Sequence, residues 1–146
     1  MIETLKSFSK RFKKITIAMA LIAICFACEK NIPFEESTVV PAAQGNVSIK
    51  KDNNNNYALS VNISNLAEVN RLQPAKKVYL VWIETENHTY KNVGQIDSDK
   101  GFISSKLKAK FETVTPFKPV KIFITAEDDL NTQRPAKQII LTTKKF

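Results

Sequence analysis

Residues 78–83 read Val-Tyr-Leu-Val-Trp-Ile, six consecutive apolar residues with no glycine, proline or charge. A short apolar run of this kind predicts a central β-strand that is buried on both of its faces. Residues 120–126 (VKIFITA) predict a second strong strand. Residues 57–64 (YALSVNIS) alternate apolar and polar side chains, which predicts a strand with one buried and one wet face.

Shorter segments, separated by turn-forming residues, complete the pattern. Strands are predicted at 47–50, 93–96, 102–109 and 137–143, and only residues 66–72 leave room for a helix. Seven strands in about 100 residues is the number typical of an immunoglobulin-like sandwich. We therefore predict an all-β fold, an immunoglobulin-like antiparallel β-sandwich of about seven strands, over residues 45–146.

Four residues are expected in the core of this domain: Tyr79, Trp82, Gly94 and Phe123. Trp82 lies in the most apolar strand, so we expect it to fill the space between the two sheets. The alternative role of Trp82 is that of an exposed platform on which a sugar or a base stacks.

The N-terminus has the composition of a secretory signal. Residues 1–14 are basic, and residues 15–26 (ITIAMALIAICF) are uncharged and fall within the ~7–15 residues of a signal-peptide core, short of the ~20 that a spanning helix needs. Five of the 22 basic residues and one of the 14 acidic residues lie in residues 1–27. The remaining 17 basic and 13 acidic residues give a net charge of only +4, and they are scattered, which argues against a nucleic-acid partner.

Cys25-Phe26-Ala27-Cys28 resembles a bacterial lipobox, in which a lipid is attached to the cysteine thiol and the chain is cut before that cysteine. Cys28 matches the lipidated residue and Ala27 the small residue before it, whereas Cys25 stands where leucine is usual. Lipidation at Cys25 would put Ile24 in the small-residue position, which fits worse. The resemblance implies a lipoprotein signal peptide at 1–27 and a membrane-anchored protein of the cell envelope that faces the periplasm or the cell surface, with the outer membrane favoured.

Residues 28–44 predict a lipidated N-terminus followed by an extended linker, because prolines and polar residues occur there without periodicity. Four apolar residues in this segment leave open that part of it packs on the domain: Ile32, Phe34, Val39 and Val40.

The domain also resembles the extracytoplasmic C-terminal domain of anti-sigma-K factors. The features shared in order and spacing are Tyr79, Trp82, Gly94, Gly101, Thr125, Glu127 and Pro135. Members of that family carry a sigma-binding segment and a transmembrane helix before this domain, where the present chain has a signal peptide. The resemblance therefore implies a fold and an envelope location, not inhibition of a sigma factor.

Residues suited to catalysis or metal binding are few. The only histidine, His88, is expected in an exposed turn without a partner nearby in sequence. Asp97-x-Asp99-x-Gly101 begins like a calcium loop, but Lys108 stands where the bidentate glutamate is required. The weak candidates for a binding site are Asp97, Asp99, Glu127, Asp128 and Asp129, and solvated turns whose aspartates cap backbone donors explain them better.

We therefore expect no enzymatic activity, no metal site and no cofactor. The favoured function is a lipid-anchored, non-catalytic module that binds or scaffolds another envelope protein or a surface polymer, with the edge strands as its contact surface. Two alternatives stay open: a small metal-dependent or carbohydrate-active domain using the acidic loops, and a component of an envelope signalling system of the anti-sigma type. The oligomeric state is left open.

Overall fold

The structure is a computed structural model that describes residues 30–96 and 108–146. The described residues form eight β-strands and one short 3-10 helix, Val69–Arg71. The strands are β1 Lys30–Pro33, β2 Gln44–Lys51, β3 Tyr57–Ser64, β4 Val78–Thr85, β5 Tyr90–Ile96, β6 Ala109–Thr115, β7 Pro119–Glu127 and β8 Ile139–Thr142.

The strands form two antiparallel four-stranded sheets, with strand orders β1-β2-β3-β6 and β5-β4-β7-β8. β3 pairs with β6 and β4 pairs with β7, although neither pair is consecutive in the chain. The chain must therefore cross from sheet to sheet, as in the Greek-key connections of immunoglobulin-like sandwiches. The prediction of an all-β, immunoglobulin-like sandwich is confirmed. The described residues hold eight strands where about seven were predicted.

The core between the sheets follows from the alternation of side chains along the strands. In β3 every second residue is buried against the facing sheet, and the apolar–polar alternation predicted for residues 57–64 is thereby confirmed. β4 and β7 place alternate apolar residues in the same core. The buried residues of these three strands are Leu59, Val61, Ile63, Tyr79, Val81, Ile83, Ile122, Ile124 and Ala126.

The segment after residue 29 differs from the predicted linker. Lys30–Pro33 is a strand that pairs with β2, and Ile32 lies opposite Val47. Three apolar residues of the segment are buried, namely Ile32, Val40 and Ala43. Part of this segment therefore packs on the domain, which is the alternative that the sequence analysis did not exclude. The described domain begins at Lys30 instead of residue 45, while residues 1–29 lie outside the described part.

Polar contacts fix this segment to the second sheet. The Oγ of Ser37 is buried, donates to the carbonyl of Ile140 at 2.5 Å and accepts the backbone N–H of Val40 at 2.9 Å. Phe34 forms an isolated bridge with Thr143, so the chain joins both sheets on this side. This satisfied buried hydroxyl shows why a non-periodic segment can be an integral part of the fold.

The position of strand β6 was also not predicted. β6 covers Ala109–Thr115, whereas the prediction placed a strand at 102–109, most of which lies outside the described residues. The inward residues of β6 are of mixed polarity: Ala109 and Phe111 are apolar, and the next two inward residues are Thr113 and Thr115. Because half of the inward residues are polar, the sequence of β6 shows only a weak alternation of apolar and polar residues, which did not predict a strand. Pro116 follows the last residue of the strand.

Gly94 lies where β5 approaches β6. β5 has a bulge beside β4, and Gly94 has a φ of +141°, a region that side-chain-bearing residues rarely adopt. A Cβ added at Gly94 would lie 2.8 Å from the Phe111 ring. Glycine is therefore required here by both the backbone and the packing, although Gly94 is only half-buried and not part of the core.

Tyr79 connects the core to the segment between β3 and β4. The side chain is buried, and its hydroxyl donates to the carbonyl of Ala67 at 3.0 Å. Burial raises the pKa of Tyr79 to about 12. Tyr79 therefore remains a neutral hydrogen-bond donor at physiological pH, and its core position is as predicted.

Candidate functional site

Trp82 is completely buried but does not lie between the sheets. Val81 and Ile83 point into the inter-sheet core, so the alternation of β4 places Trp82 on the opposite face of its sheet. There it forms a separate cluster with Leu80 and Phe123. The rings of Trp82 and Phe123 are nearly parallel, at 9°, with centroids 6.4 Å apart. The expectation that Trp82 fills the space between the sheets is therefore wrong, since that space is occupied by its neighbours.

The loop between β7 and β8, residues 128–138, covers this cluster. The Nδ2 of Asn92, which lies opposite Trp82 in β5, donates to the carbonyl of Leu130 at 3.4 Å. At the other end of the loop, the backbone N–H of Ala136 donates to Oε1 of Glu127 at 2.8 Å. The loop must therefore cross β4 above Trp82. This explains the burial of β4 on both faces, as predicted, and leaves no surface of Trp82 on which a ligand could stack.

A chain of hydrogen bonds holds the loop on the sheet. The indole N–H of Trp82 donates to Oγ1 of Thr125 at 2.9 Å, and Thr125 donates to Oε1 of Glu127 at 2.6 Å. The same oxygen accepts the N–H of Ala136, the residue after Pro135. Trp82, Thr125 and Glu127 therefore belong to one structural network, and Pro135 lies next to it.

The three acidic candidates that the structure describes do not converge on a site. Glu127 is buried within this network. Asp128 forms an ion pair with Lys76 at 2.7 Å, and Oδ1 of Asp129 caps the backbone N–H of Asn131 at 2.9 Å. Asp97 and Asp99 lie outside the described residues. Within residues 30–96 and 108–146, no group of three or more His, Cys, Asp or Glu residues is placed to hold a metal ion.

His88 has a partner that sequence reasoning missed. It is exposed in the β4–β5 turn, as predicted, and its Nδ1 lies 2.9 Å from Oε1 of Glu84, four residues earlier. The ammonium group of Lys145 lies 2.7 Å from the same oxygen. The Lys145 hydrogen bond, aided by His88, lowers the pKa of Glu84. This ionised carboxylate therefore holds the C-terminal segment. The Glu84–His88 contact could have been predicted from the sequence, because the hairpin of β4 and β5 brings residues four apart together at its turn.

An open concave surface lies on the outer face of the β1-β2-β3-β6 sheet. Its floor consists of small side chains, Ser48, Ala58 and Ser60, because the larger residues of these strands point inward. Longer residues of β2 and β6 form the rim of a groove of about 370 Å³. The rim residues are Lys50, Glu112 and Val114.

Polar groups continue across the rest of this surface, which we call the polar face: the outward residues of β1, β2, β3 and β6. Strand pairing aligns Asn31, Ser48, Ser60 and Glu112 in one row across the sheet. The ammonium group of Lys110 lies 2.8 Å from Glu112, and this contact lowers the pKa of the Glu112 carboxyl. Hydroxyls, amides and single charges of both signs suit a polar, extended partner. The sequence did not indicate this face, since each strand by itself shows only an ordinary wet side.

The edges of the sheets are less suited to strand addition than the sequence suggested. β1 contains Pro33, β5 is interrupted by a bulge beside Gly94, and β8 has only four residues. The fourth edge strand, β6, has seven residues and carries the exposed charges of Lys110 and Glu112. The backbone N–H of Glu35 already bonds the carbonyl of Thr142 on β8 at 2.8 Å. Prolines, bulges and short edge strands all hinder pairing with another chain. The polar face is therefore the better candidate for a contact surface.

No protein family, curated protein or solved structure matches this chain. No helix within the described ranges is long and apolar enough to cross a membrane.

Proposed function

We propose that this protein is a lipid-anchored lipoprotein of the bacterial cell envelope whose non-catalytic β-sandwich binds an envelope protein or a surface polymer. The basic leader, the uncharged run at 15–26 and the lipobox-like residues before Cys28 support the anchor. The outer membrane is the favoured location. The anchor holds the domain at the membrane, and the domain presents a binding surface to its partner.

The observation that carries the binding role is the contrast between the outer faces of the two sheets. The β7–β8 loop covers the outer face around Trp82. The polar face carries no such loop in the described residues, and it holds the groove with Ser60 at its floor. An accessible face of small hydroxyl and amide groups offers many hydrogen-bond donors and acceptors that a polar partner can pair when it displaces their water. The polar face is therefore the proposed contact surface.

The lipid anchor is tested by replacing each cysteine in turn. Cys28→Ser should abolish incorporation of labelled palmitate and release the protein from membranes or leave it unprocessed. Cys25→Ser is the matched control, because Cys25 belongs to the part that cleavage removes, and this variant should still be labelled. Palmitate labelling and membrane retention that survive Cys28→Ser would refute the anchor, and loss of labelling only in Cys25→Ser would move it to Cys25.

The binding surface is tested by crosslinking in intact cells. A photoreactive amino acid at position 58, on the floor of the groove, should form an adduct with a defined envelope component. The same amino acid at Asn131, in the exposed β7–β8 loop, is the matched control. Ser60→Trp, which fills the groove, should remove the adduct while the unfolding midpoint stays within a few degrees. Equal adducts from both positions, or an adduct that survives the filled groove, would refute this surface.

Calcium titration distinguishes the proposal from the metal-dependent alternative. A site occupied at 100 times its dissociation constant would stabilise the domain by about 2.7 kcal/mol. Because Glu127, Asp128 and Asp129 already bind protein groups, we expect an unchanged melting temperature. A rise of several degrees would favour the acidic-loop alternative. The signalling alternative rests on the family resemblance, and a sigma-factor gene beside the gene for this protein would favour it.

A further inference from the structure

The end of the sandwich at which β1 begins carries most of the excess positive charge of the described residues. We call it the Lys30 end and define it as Lys30 with residues 50–57, 84–91, 115–121 and 143–146. The strand registers and the bond from the Phe146 N–H to the Val120 carbonyl bring these residues to one end of both sheets. Its side chains include eight lysines and three carboxylates.

The opposite end of the sandwich is balanced in charge. Of the described residues it includes 34–44, 64–78 and 127–138 together with Ile96, Lys108 and Ala109, and these hold six basic and six acidic side chains. The charge of the described residues is therefore polarised along the strand direction. Strands of eight residues separate the two ends by about 26 Å, which exceeds the ~8 Å Debye length at physiological ionic strength. A charged surface that contacts one end is thus screened from the other.

The carboxylates of the Lys30 end are already engaged. Glu84 binds Lys145 and Glu86 binds Lys118. Asp52 accepts the backbone N–H groups of Asn54 and Asn56, both at 2.8 Å, within its own turn. Six of the eight lysines make no ion pair within the described residues. These ammonium groups can therefore meet an anionic partner without first giving up a carboxylate.

Aromatic side chains accompany these lysines. Phe117 is 45% exposed, and the ammonium group of Lys91 lies 5.1 Å from the centre of its ring. The ammonium group of Lys30 lies 4.6 Å from the centre of the Phe146 ring. Lysines beside aromatic rings fit the interface of a membrane, since lysine combines an apolar stem with a charged tip and an exposed phenylalanine ring can enter the apolar boundary.

The proposed lipid site, Cys28, lies close to the Lys30 end in the sequence. Cys28 lies two residues before Lys30, and two residues span at most about 7 Å. A lipid on Cys28 would therefore enter the membrane beside the Lys30 end, with no linker to hold the domain away. We propose that the Lys30 end docks on the anionic surface of the membrane that holds the lipid of Cys28. This proposal rests on the lipid anchor of the proposed function.

Docking in this way sets the orientation of the domain. The strands stand roughly along the membrane normal, and the polar face points sideways, where a partner in the envelope can reach it. A basic residue close to an anionic membrane favours the docked state by about fivefold, equivalent to about 1 kcal/mol. Reversing three lysines of the Lys30 end should therefore shift the ratio of docked to undocked protein at least about 100-fold.

The test uses the lipidated full protein reconstituted into vesicles of neutral phosphatidylcholine or of phosphatidylcholine with 30% phosphatidylglycerol. A cysteine at Asn53, in the exposed turn of the Lys30 end, carries an environment-sensitive dye, and Asn70→Cys carries it at the opposite end as a matched control. On anionic vesicles the dye at position 53 should be protected from iodide, and 0.5 M salt should reverse the protection. The dye at position 70 should stay exposed on both kinds of vesicle.

Charge-reversal variants then test whether the lysines of the Lys30 end cause the docking. Lys50→Glu with Lys51→Glu and Lys144→Glu should expose the dye at position 53 on anionic vesicles. The matched control reverses three exposed lysines of the opposite end, at positions 77, 108 and 137, and should leave it protected. A dye at position 53 that is equally exposed on neutral and anionic vesicles overturns the proposal, as does an equal effect of the two triple variants.

Two further outcomes separate the possible failures. A dye at position 53 that is exposed on vesicles but protected in isolated envelopes would assign this end to an envelope protein and overturn the membrane as its partner. Thiol reagent that labels Cys28 in the protein without an added cysteine would refute the lipid anchor itself, and the docking proposal with it. A blocked Cys28 with an exposed dye at position 53 refutes the docking alone.

Discussion

The hydroxyl of Thr125 joins the two halves of the network beneath the β7–β8 loop, and Thr125→Val removes it. The side chain is completely buried, accepts the indole N–H of Trp82 at 2.9 Å and donates to Oε1 of Glu127 at 2.6 Å. Valine keeps the branched shape of threonine. The change therefore removes two buried hydrogen bonds and leaves the surrounding packing nearly unaltered.

The loss of stability can be worked from these contacts. A buried donor left without an acceptor costs about 1–3 kcal/mol, and a hydrogen bond to a charged group contributes about 1.5–3 kcal/mol. We expect the free energy of unfolding of Thr125→Val to fall by about 3 kcal/mol, which corresponds to a fall in Tm of roughly 10 °C for a domain of this size. Thr113→Val is the control, because this half-buried hydroxyl makes no hydrogen bond within the described residues, and it should change the free energy by less than about 0.5 kcal/mol.

Urea unfolding at pH 7, followed by far-ultraviolet circular dichroism, measures these differences. Repeating Thr125→Val in a Trp82→Phe background completes a double-mutant cycle. The change should then cost about 1 kcal/mol less, because no indole N–H remains to lose its acceptor. The reasoning is refuted if Thr125→Val is as stable as the native protein, or if its cost is the same in both backgrounds.

Three other perturbations test separate parts of the fold. Ile32→Ala should lower the free energy of unfolding by about 2–4 kcal/mol, because Ile32 is buried in β1, whereas Ile139→Ala at a more exposed position should cost less. Gly94→Ala should lower it by at least about 2 kcal/mol, since alanine is strained at this φ and its Cβ would contact an aromatic ring of β6. Glu84→Gln should cost about 1 kcal/mol at pH 7. That cost should fade below the ordinary pKa of 4.5, because the Lys145 contact lowers the folded-state pKa of Glu84 and its stabilisation is lost as the pH falls through that value.

Denaturant unfolding midpoints measured at several pH values test all three substitutions, and each substitution has an outcome that would contradict its prediction. An unchanged midpoint for Ile32→Ala would mean that residues 30–44 are the linker that the sequence suggested. A neutral Gly94→Ala would show that β5 and β6 can move apart without cost. A Glu84→Gln difference that is the same at pH 7 and pH 3 would assign its cost to packing and not to charge.

Strand β4 illustrates how much a sequence pattern can predict. The apolar run at 78–83 correctly predicts a strand buried on both faces. The same run cannot say which residues point into the inter-sheet core, because a strand that is apolar throughout has no polar face to orient it. Trp82 was therefore assigned to the wrong side of its sheet, and only its pairing with β5 and β7 places it under the loop.

Segments with weak periodicity were harder to predict. Residues 30–44 contain too few apolar residues at regular spacing to predict a strand, yet the burial of Ile32 and of the Ser37 hydroxyl makes them part of the domain. The candidate surface was equally hidden. Small side chains of β2 and β3 form the floor of a groove only when the strand register aligns them, and no single strand reveals that alignment.

The sequence by itself determined the fold class, because alternation at period two and continuous apolar runs leave few arrangements other than stacked sheets. The lipid on Cys28 is also predicted from the sequence by itself, because a basic leader, an apolar run and a small residue before a cysteine are local features. Tertiary structure alone decided which face each side chain occupies, that the β7–β8 loop covers Trp82, and that lysines distant in sequence gather at one end. These properties depend on strand pairing and register between residues far apart in the chain, which local composition does not encode.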